Sequence, residues 1–189
     1  LTIFEPIKMV EVSKDFYYIE GMPADCASVG LTSLNVKFDL VVSGINYGHN
    51  LTYDIMHSGT CGACVEALMY KTPAISLSME RNHDDMYPYV DMALSYIFNN
   101  NLLSDRYFLN VNFPLGKEVK GIKLSKVGKR NDRRWYDLEN GVLVPKRTII
   151  EEGYGPDSDC YLINHGYISI TPLTDNLFDE KIFDEINKQ

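Results

Sequence analysis

No stretch of the chain approaches the roughly 20 apolar residues that a membrane-spanning helix needs. No basic segment followed by an apolar one marks a secretory signal either, so no membrane partner is expected. Cysteine is scarce: Cys26, Cys61, Cys64 and Cys160 are the full set in 189 residues. That is too few for a disulfide scaffold and points to a reducing, cytoplasmic setting. Positive charge is in the minority, with 18 Lys and Arg against 26 Asp and Glu and a net charge of -8. Such a balance argues against a stable complex with nucleic acid along the whole surface. Repeats and low-complexity linkers are absent, and an aromatic content of 12% excludes disorder throughout. The length suits one compact domain with an extension.

What is present is an alternation of short apolar runs and helical stripes. Phe16–Glu20 reads as a strand, and Gly21-Met22-Pro23 opens a helix with Pro at its first position. Leu40-Val41-Val42 reads as a buried parallel strand ended by Ser43-Gly44. From Gly59 the pattern is helical until Lys71-Thr72-Pro73 stops it, and Ala74–Ser78 is the next buried strand. A helix over about Met86–Asn99 and an alternating strand over Leu109–Pro114 follow. This order predicts an α/β fold: a Rossmann-like, mostly parallel sheet with helices on both faces, a β-hairpin extension and a C-terminal helix. The predicted division is a core over 1–116, a β-rich extension over 117–160 and a returning strand with its helix over 161–189. Eight basic residues crowd Lys117–Arg134 and acidic Glu151, Glu152, Asp157 and Asp159 follow, a segregation that predicts pairing with a second copy.

Parallel sheets place ligands at the carboxyl ends of their strands. The Asn- and Gly-rich loop Ile45–Ser58 lies at such an end. Gly44 and Gly48 permit close backbone approach. Asn46 and Asn50 offer hard amide oxygens of the kind that suits Mg²⁺, Mn²⁺ or Ca²⁺. Ser58-Gly59-Thr60 marks a helix start, where unpartnered N–H groups and the helix dipole favour an anion. Taken singly, these residues are ordinary turn formers and an N-cap; together they point to phosphate and a metal. Gly59 is expected to leave room for the anion, and Asp54 to steer the loop. His49 and His57 are candidate general acids, with a plain hydrogen-bonded loop residue as the reading favoured for His49. Cys61-Gly62-Ala63-Cys64 reads as small residues packing a helix, with a dithiol redox pair as the alternative.

Residues 38–60, FDLVVSGINYGHNLTYDIMHSGT, resemble the signature of the SurE (survival protein E) family. Gly21-Met22-Pro23-Ala24-Asp25-Cys26 resembles its Gly-Thr-Pro-Ala-Asp-Cys phrase, with Met22 in place of Thr. Leu109–Pro114 is similar to its Leu-Asn-Val-Asn-Val-Pro strand, and Gly166–Pro172 to its late Gly-Tyr-Val-Ser-Ile-Thr-Pro; Leu1-Thr2 and Glu5-Pro6 resemble the segment after its serine loop. The resemblance implies a divalent-metal-dependent hydrolase that removes phosphate from nucleoside 5′- or 3′-monophosphates, with short polyphosphate as a further substrate. It implies one Mg²⁺ or Mn²⁺ per subunit, with Asn46 as a metal ligand that also meets the phosphate. It implies catalytic roles for Asn46 and Ser58, a phosphate site of Asn46, Ser58, Gly59 and Thr60, supporting roles for Asn50 and Asp54, and a homodimer or homotetramer. The family's Asn-Asp-Asp-Gly strand, whose two aspartates bind the metal, is not matched by any residue of this chain. The chain as given is therefore expected to bind metal poorly and to turn over little. A catalytically silent nucleotide- or phosphate-binding protein is the alternative.

Overall fold

The computed structural model describes every residue except 81–85, 117, 130, 151–154 and 189, and, within strands, the side chains of 131, 149 and 150. Part of the predicted charge segregation, at Lys117, Arg130, Glu151 and Glu152, lies outside the described residues. The first two strands, β1 (Met9–Ser13) and β2 (Phe16–Ile19), form an antiparallel hairpin of their own. Helix α1 (Pro23–Ser33) leads to β3 (Val41–Tyr47), a 3₁₀ turn (Thr52–His57) and α2 (Gly59–Met69). Then come β4 (Ala74–Met79), α3 (Tyr87–Asn99), β5 (Phe108–Asn112) and β6 (Gly121–Leu124). The long hairpin β7 (Asn131–Glu139) and β8 (Val142–Ile150) precedes α4 (Asp159–Asn164), β9 (Tyr167–Leu173) and α5 (Glu180–Asn187).

The central sheet has the order β3-β4-β5-β9-β6. β3, β4 and β5 run parallel, β9 enters antiparallel beside β5, and β6 pairs parallel with β9. The expected α/β class is thus realised as a mixed, mostly parallel sheet. Three expectations are corrected. β3 does not stop at Ser43-Gly44 but continues to Tyr47, so Asn46 sits in a strand and not in a loop. β3 is also the sheet's edge among the described residues, and its side chains alternate between exposed and half-buried where full burial was expected. Finally, β6 belongs to the central sheet, so within the expected 117–160 extension only β7 and β8, among the described residues, form a ladder of their own.

Alternation along β4, β5 and β9 gives the sheet two unlike faces. One carries Ile75, Leu77, Met79, Leu109, Val111, Ile168 and Ile170, which pack with Met86, Ala93 and Ile97 of α3 and the approach to it. The other carries Ser76, Ser78, Asn110, Asn112, Ser169 and Thr171, all buried. Strand register lines these polar residues up in rows: Ser76 beside Asn110 beside Thr171, and Ser78 beside Asn112 beside Ser169. α2 covers this polar face through Cys61, Cys64, Ala67 and Leu68, which meet Ala74 and Phe108 at the strands' amino ends. Its first turn therefore lies toward their carboxyl ends.

Candidate phosphate site at the carboxyl edge of the sheet

Buried polar groups demand partners: Ser169 and Thr171 share Ser125 Oγ, at 2.7 and 2.6 Å, and the β4 and β5 residues of the rows meet the segment after β3. Asn50, itself buried, donates its N–H to Asn112 Oδ1 at 2.9 Å and its side-chain amide to Ser78 Oγ at 2.8 Å. Its carbonyl accepts from Asn110 Nδ2 at 2.8 Å and Asn112 Nδ2 at 3.1 Å. Ser76 Oγ completes the set by donating to Asn110 Oδ1 at 2.9 Å. Asn50 is thus turned inward, and its amide nitrogen and backbone serve as the bolt that fastens the loop to the sheet.

Asn46 stands beside Ser78 in the ladder. Its Nδ2 donates to the Gly48 carbonyl at 2.7 Å, a bond that uses the amide nitrogen and leaves the oxygen's lone pairs uncommitted to it. Gly44 has φ of 133°, and a Cβ there would come within 2.5 Å of the Leu77 carbonyl oxygen, so glycine is required for β3 to lie this close to β4. His49 is held rather than poised: its Nε2 donates to the Phe113 carbonyl at 2.7 Å, and Nδ1 lies 3.6 Å from Glu80 Oε2. The donor is Nε2 because a carbonyl can only accept. His57 is exposed at the end of the 3₁₀ turn.

Ser58 is the N-cap of α2; its Oγ accepts the Cys61 N–H at 3.1 Å, and its hydroxyl proton remains able to donate. Gly59 and Thr60, the first two helical residues, carry N–H groups that helix geometry leaves without an internal partner. Gly59 has a packing role of its own. A Cβ there would meet Pro23 Cγ at 3.1 Å and Cδ at 3.2 Å, so glycine lets α1 pack on α2. The pair Cys61 and Cys64 is buried against the sheet. Burial pushes both thiols up, which disfavours the thiolate that redox chemistry needs.

Two carboxylates anchor the surroundings. Asp159, fully buried, accepts the Gly128 N–H and its neighbour Cys160 N–H at 2.8 Å each, and the Thr52 N–H at 3.1 Å. Asp25 accepts from Met22 N–H at 2.6 Å, Thr2 N–H at 2.7 Å and Thr2 Oγ1 at 3.0 Å. Burial pushes the Asp25 carboxyl up, but the bonds from Thr2 and Met22 outweigh it and hold it below the ordinary carboxylate range. Asp54, expected to steer the loop, is met by Arg134 and Arg147 of the hairpin. The buried Ser-x-Ser and Asn-x-Asn phrases, Asp159 and the two arginines are neighbours of this edge to which the sequence reading gave no site role. The visible signal was polar residues at every second place in otherwise apolar strands.

The sequence profile of Survival protein SurE matches residues 1–134. The chain belongs to the SurE family. Among SurE relatives, the 5′-nucleotidase SurE of Clostridium beijerinckii is 33% identical, over 100% of this chain and 81% of the relative. The 5′-nucleotidase SurE of Campylobacter jejuni is 35% identical, over 92% of this chain and 73% of the relative. The crystal structure of the SurE protein from Aquifex aeolicus aligns with a TM-score of 0.79 at 32% identity, covering 100% of this chain and 81% of that one.

Proposed function

We propose that this chain serves phosphate-ester hydrolysis on nucleoside 5′- or 3′-monophosphates, with short polyphosphate as a further substrate. The observation that carries the reading is the capped first turn of α2 at the sheet's carboxyl edge, in a chain whose relatives are named 5′-nucleotidases. Phosphoryl transfer develops charge on the oxygens around phosphorus, and preset N–H and O–H donors stabilise it. The N–H groups of Gly59 and Thr60 and the Ser58 hydroxyl are such donors. Asn46 lies on the same edge and offers a neutral oxygen.

A divalent cation, Mg²⁺ or Mn²⁺, would polarise the phosphoryl oxygen and activate water. The described residues do not make its site alone: no three His, Cys, Asp or Glu side chains among them converge, and one amide oxygen does not replace a pair of carboxylates. This favours a second reading for the 189 residues by themselves, as a phosphate-binding chain that turns over little. Calorimetry with inorganic phosphate, beside nucleotide hydrolysis with and without Mn²⁺, decides. Hydrolysis above background that needs Mn²⁺ supports the enzyme; phosphate binding without hydrolysis supports the silent reading; neither overturns both.

A cytoplasmic homodimer completes the proposal. Leu138, Val142 and Leu143, at the tip of the β7–β8 hairpin, are between 62% and 71% exposed, which is costly for a lone hairpin in water. A second copy would cover them. Because β6 belongs to the central sheet, the deletion that tests this is 131–150. Sedimentation of the intact chain as a monomer at micromolar concentration would exclude it.

A further inference from the structure

One charge cluster is not used by the functional reading. Four side chains of alternating sign meet where the hairpin touches the site loop: Asp54 of the 3₁₀ turn, Asp132 and Arg134 of β7, and Arg147 of β8. Arg134 Nη2 donates to Asp54 Oδ1, and Arg134 Nε donates to Asp132 Oδ2 at 3.1 Å. Arg147 mirrors it, with Nη2 donating to Asp54 Oδ2 at 3.1 Å and Nε lying 2.6 Å from Asp132 Oδ2. Arg134 and Arg147 stand directly opposite each other in the ladder, an arrangement that repels unless carboxylates intervene. Each oxygen of Asp54 takes one arginine. The carboxylates are largely covered, at 19% and 10% side-chain exposure, beneath arginines at 44% and 33%.

Asp54 is placed to transmit this grip. Its turn ends on Ser58, whose N–H donates to the Ile55 carbonyl at 3.2 Å. The turn's other end is tied by the Thr52 N–H to Asp159. Thr52 has φ of 52°, a left-handed conformation that a β-branched residue does not choose unaided. The turn is therefore held in shape from outside, at Thr52 by α4 and at Asp54 by the hairpin. The continuous chain Arg134 and Arg147 to Asp54 to Ser58 links the hairpin to the first turn of α2.

We propose that Arg134 and Arg147 are positioning residues that, through Asp54, hold Ser58 and the start of α2 in the geometry that binds phosphate. The proposal rests on the reading of Ser58–Thr60 as the phosphate cradle. Half-exposed ion pairs add little to global stability, so the effect should be local. The test uses the protein as its gene encodes it, with R134Q/R147Q, R134K/R147K and S58A compared by amide hydrogen exchange and by nucleoside 5′-monophosphate kinetics with inorganic phosphate as inhibitor. In R134Q/R147Q, exchange within 51–61 should quicken about tenfold while the rest of the chain is unchanged. KM and the phosphate inhibition constant should rise about tenfold, with kcat within about threefold of wild type. The lysine pair, keeping the charges, should recover much of both. Unchanged KM and exchange in R134Q/R147Q, with both altered in S58A, would overturn the coupling and leave the cradle standing. Exchange that quickens across the whole chain would overturn it in favour of a plain structural role. If S58A itself leaves KM and phosphate inhibition alone, the cradle reading falls and takes this proposal with it.

Discussion

The two faces of the central sheet are made by alternate residues of the same strands, yet they are built on different terms. Ile75, Leu77, Val111 and Ile170 on one face exclude water and meet α3 by shape. Ser76, Ser78, Asn110 and Asn112 on the other are as deeply buried, but each must be answered by a hydrogen bond. An apolar face tolerates small adjustments, because dispersion is non-directional. A buried polar face does not, because an unanswered donor or acceptor costs about 1–3 kcal/mol. The difference teaches where a site can be fixed. The segment from the end of β3 to Ser58 is bolted through Asn50 to the face that demands geometry, and the apolar face supplies the rigidity beneath it.

Breaking the apolar face should cost most. Ile170→Ala leaves a cavity among fully buried neighbours and should destabilise by about 3–4 kcal/mol in urea unfolding; a loss under about 1 kcal/mol would show that this face can collapse. Next is the polar edge: Asn46→Ala, in the protein as its gene encodes it, should lower nucleotide turnover at least about a hundredfold with little change in melting. Wild-type turnover there would remove Asn46 from the site. Asn110→Ala sharpens the comparison, since it strands Ser76 Oγ and part of the Asn50 carbonyl. It should cost about 2 kcal/mol and loosen residues 46–58 in hydrogen exchange, whereas Ile170→Ala should loosen the sheet as a whole.

Smaller effects lie at the margins. The folded-state pKa of Asp25 is depressed, so its contribution to stability is present above the ordinary carboxylate value of about 4 and fades as pH falls through the folded value. Asp25→Asn should therefore flatten the acid side of the stability profile, and an unchanged acid limb contradicts the assignment. Smallest of all, Cys61→Ala/Cys64→Ala should leave turnover within about twofold, because thiols pushed up by burial have no thiolate to offer. In native protein a thiol reagent should label the exposed Cys26 first; fast labelling of Cys64 would reopen a redox role.

Much of the apolar face was legible in the sequence, since the runs around Ile75, Val111 and Ile170 declare buried strands and Pro23 and Pro73 mark helix limits. The start of α2 was legible too, because Ser before an apolar helix is a local capping signal. What was not legible depends on long-range pairing. β3 runs past Ser43-Gly44 because the Leu77 backbone lies close enough to need glycine, a fact set by β4. The same dependence hid the inward turn of Asn50, fixed by residues 28 and 62 positions away. Arg134 read as the end of the basic run Lys117–Arg134 and Arg147 carried no signal of its own; only the fold brings them to Asp54, which is 80 and 93 residues distant.

The placement of β9 between β5 and β6 has a consequence for synthesis on the ribosome. Among the described residues β6 has no neighbour but β9, and β5 keeps one bare edge until Tyr167–Leu173 arrives. At about 5–20 residues per second, the stretch from Leu124 to Leu173 takes roughly 2–10 s to emerge. Through that interval the nascent sheet is open at β5, and α4 is made before the strand it packs against. Stalled nascent chains ending near residue 150 should be cut readily by protease within β5, and those carrying the full chain should resist; equal resistance would mean the sheet closes some other way. A late strand inserted between β5 and β6 makes closure of the described sheet wait on Tyr167–Leu173, so that a copy whose synthesis stops short of it carries its own mark for disposal.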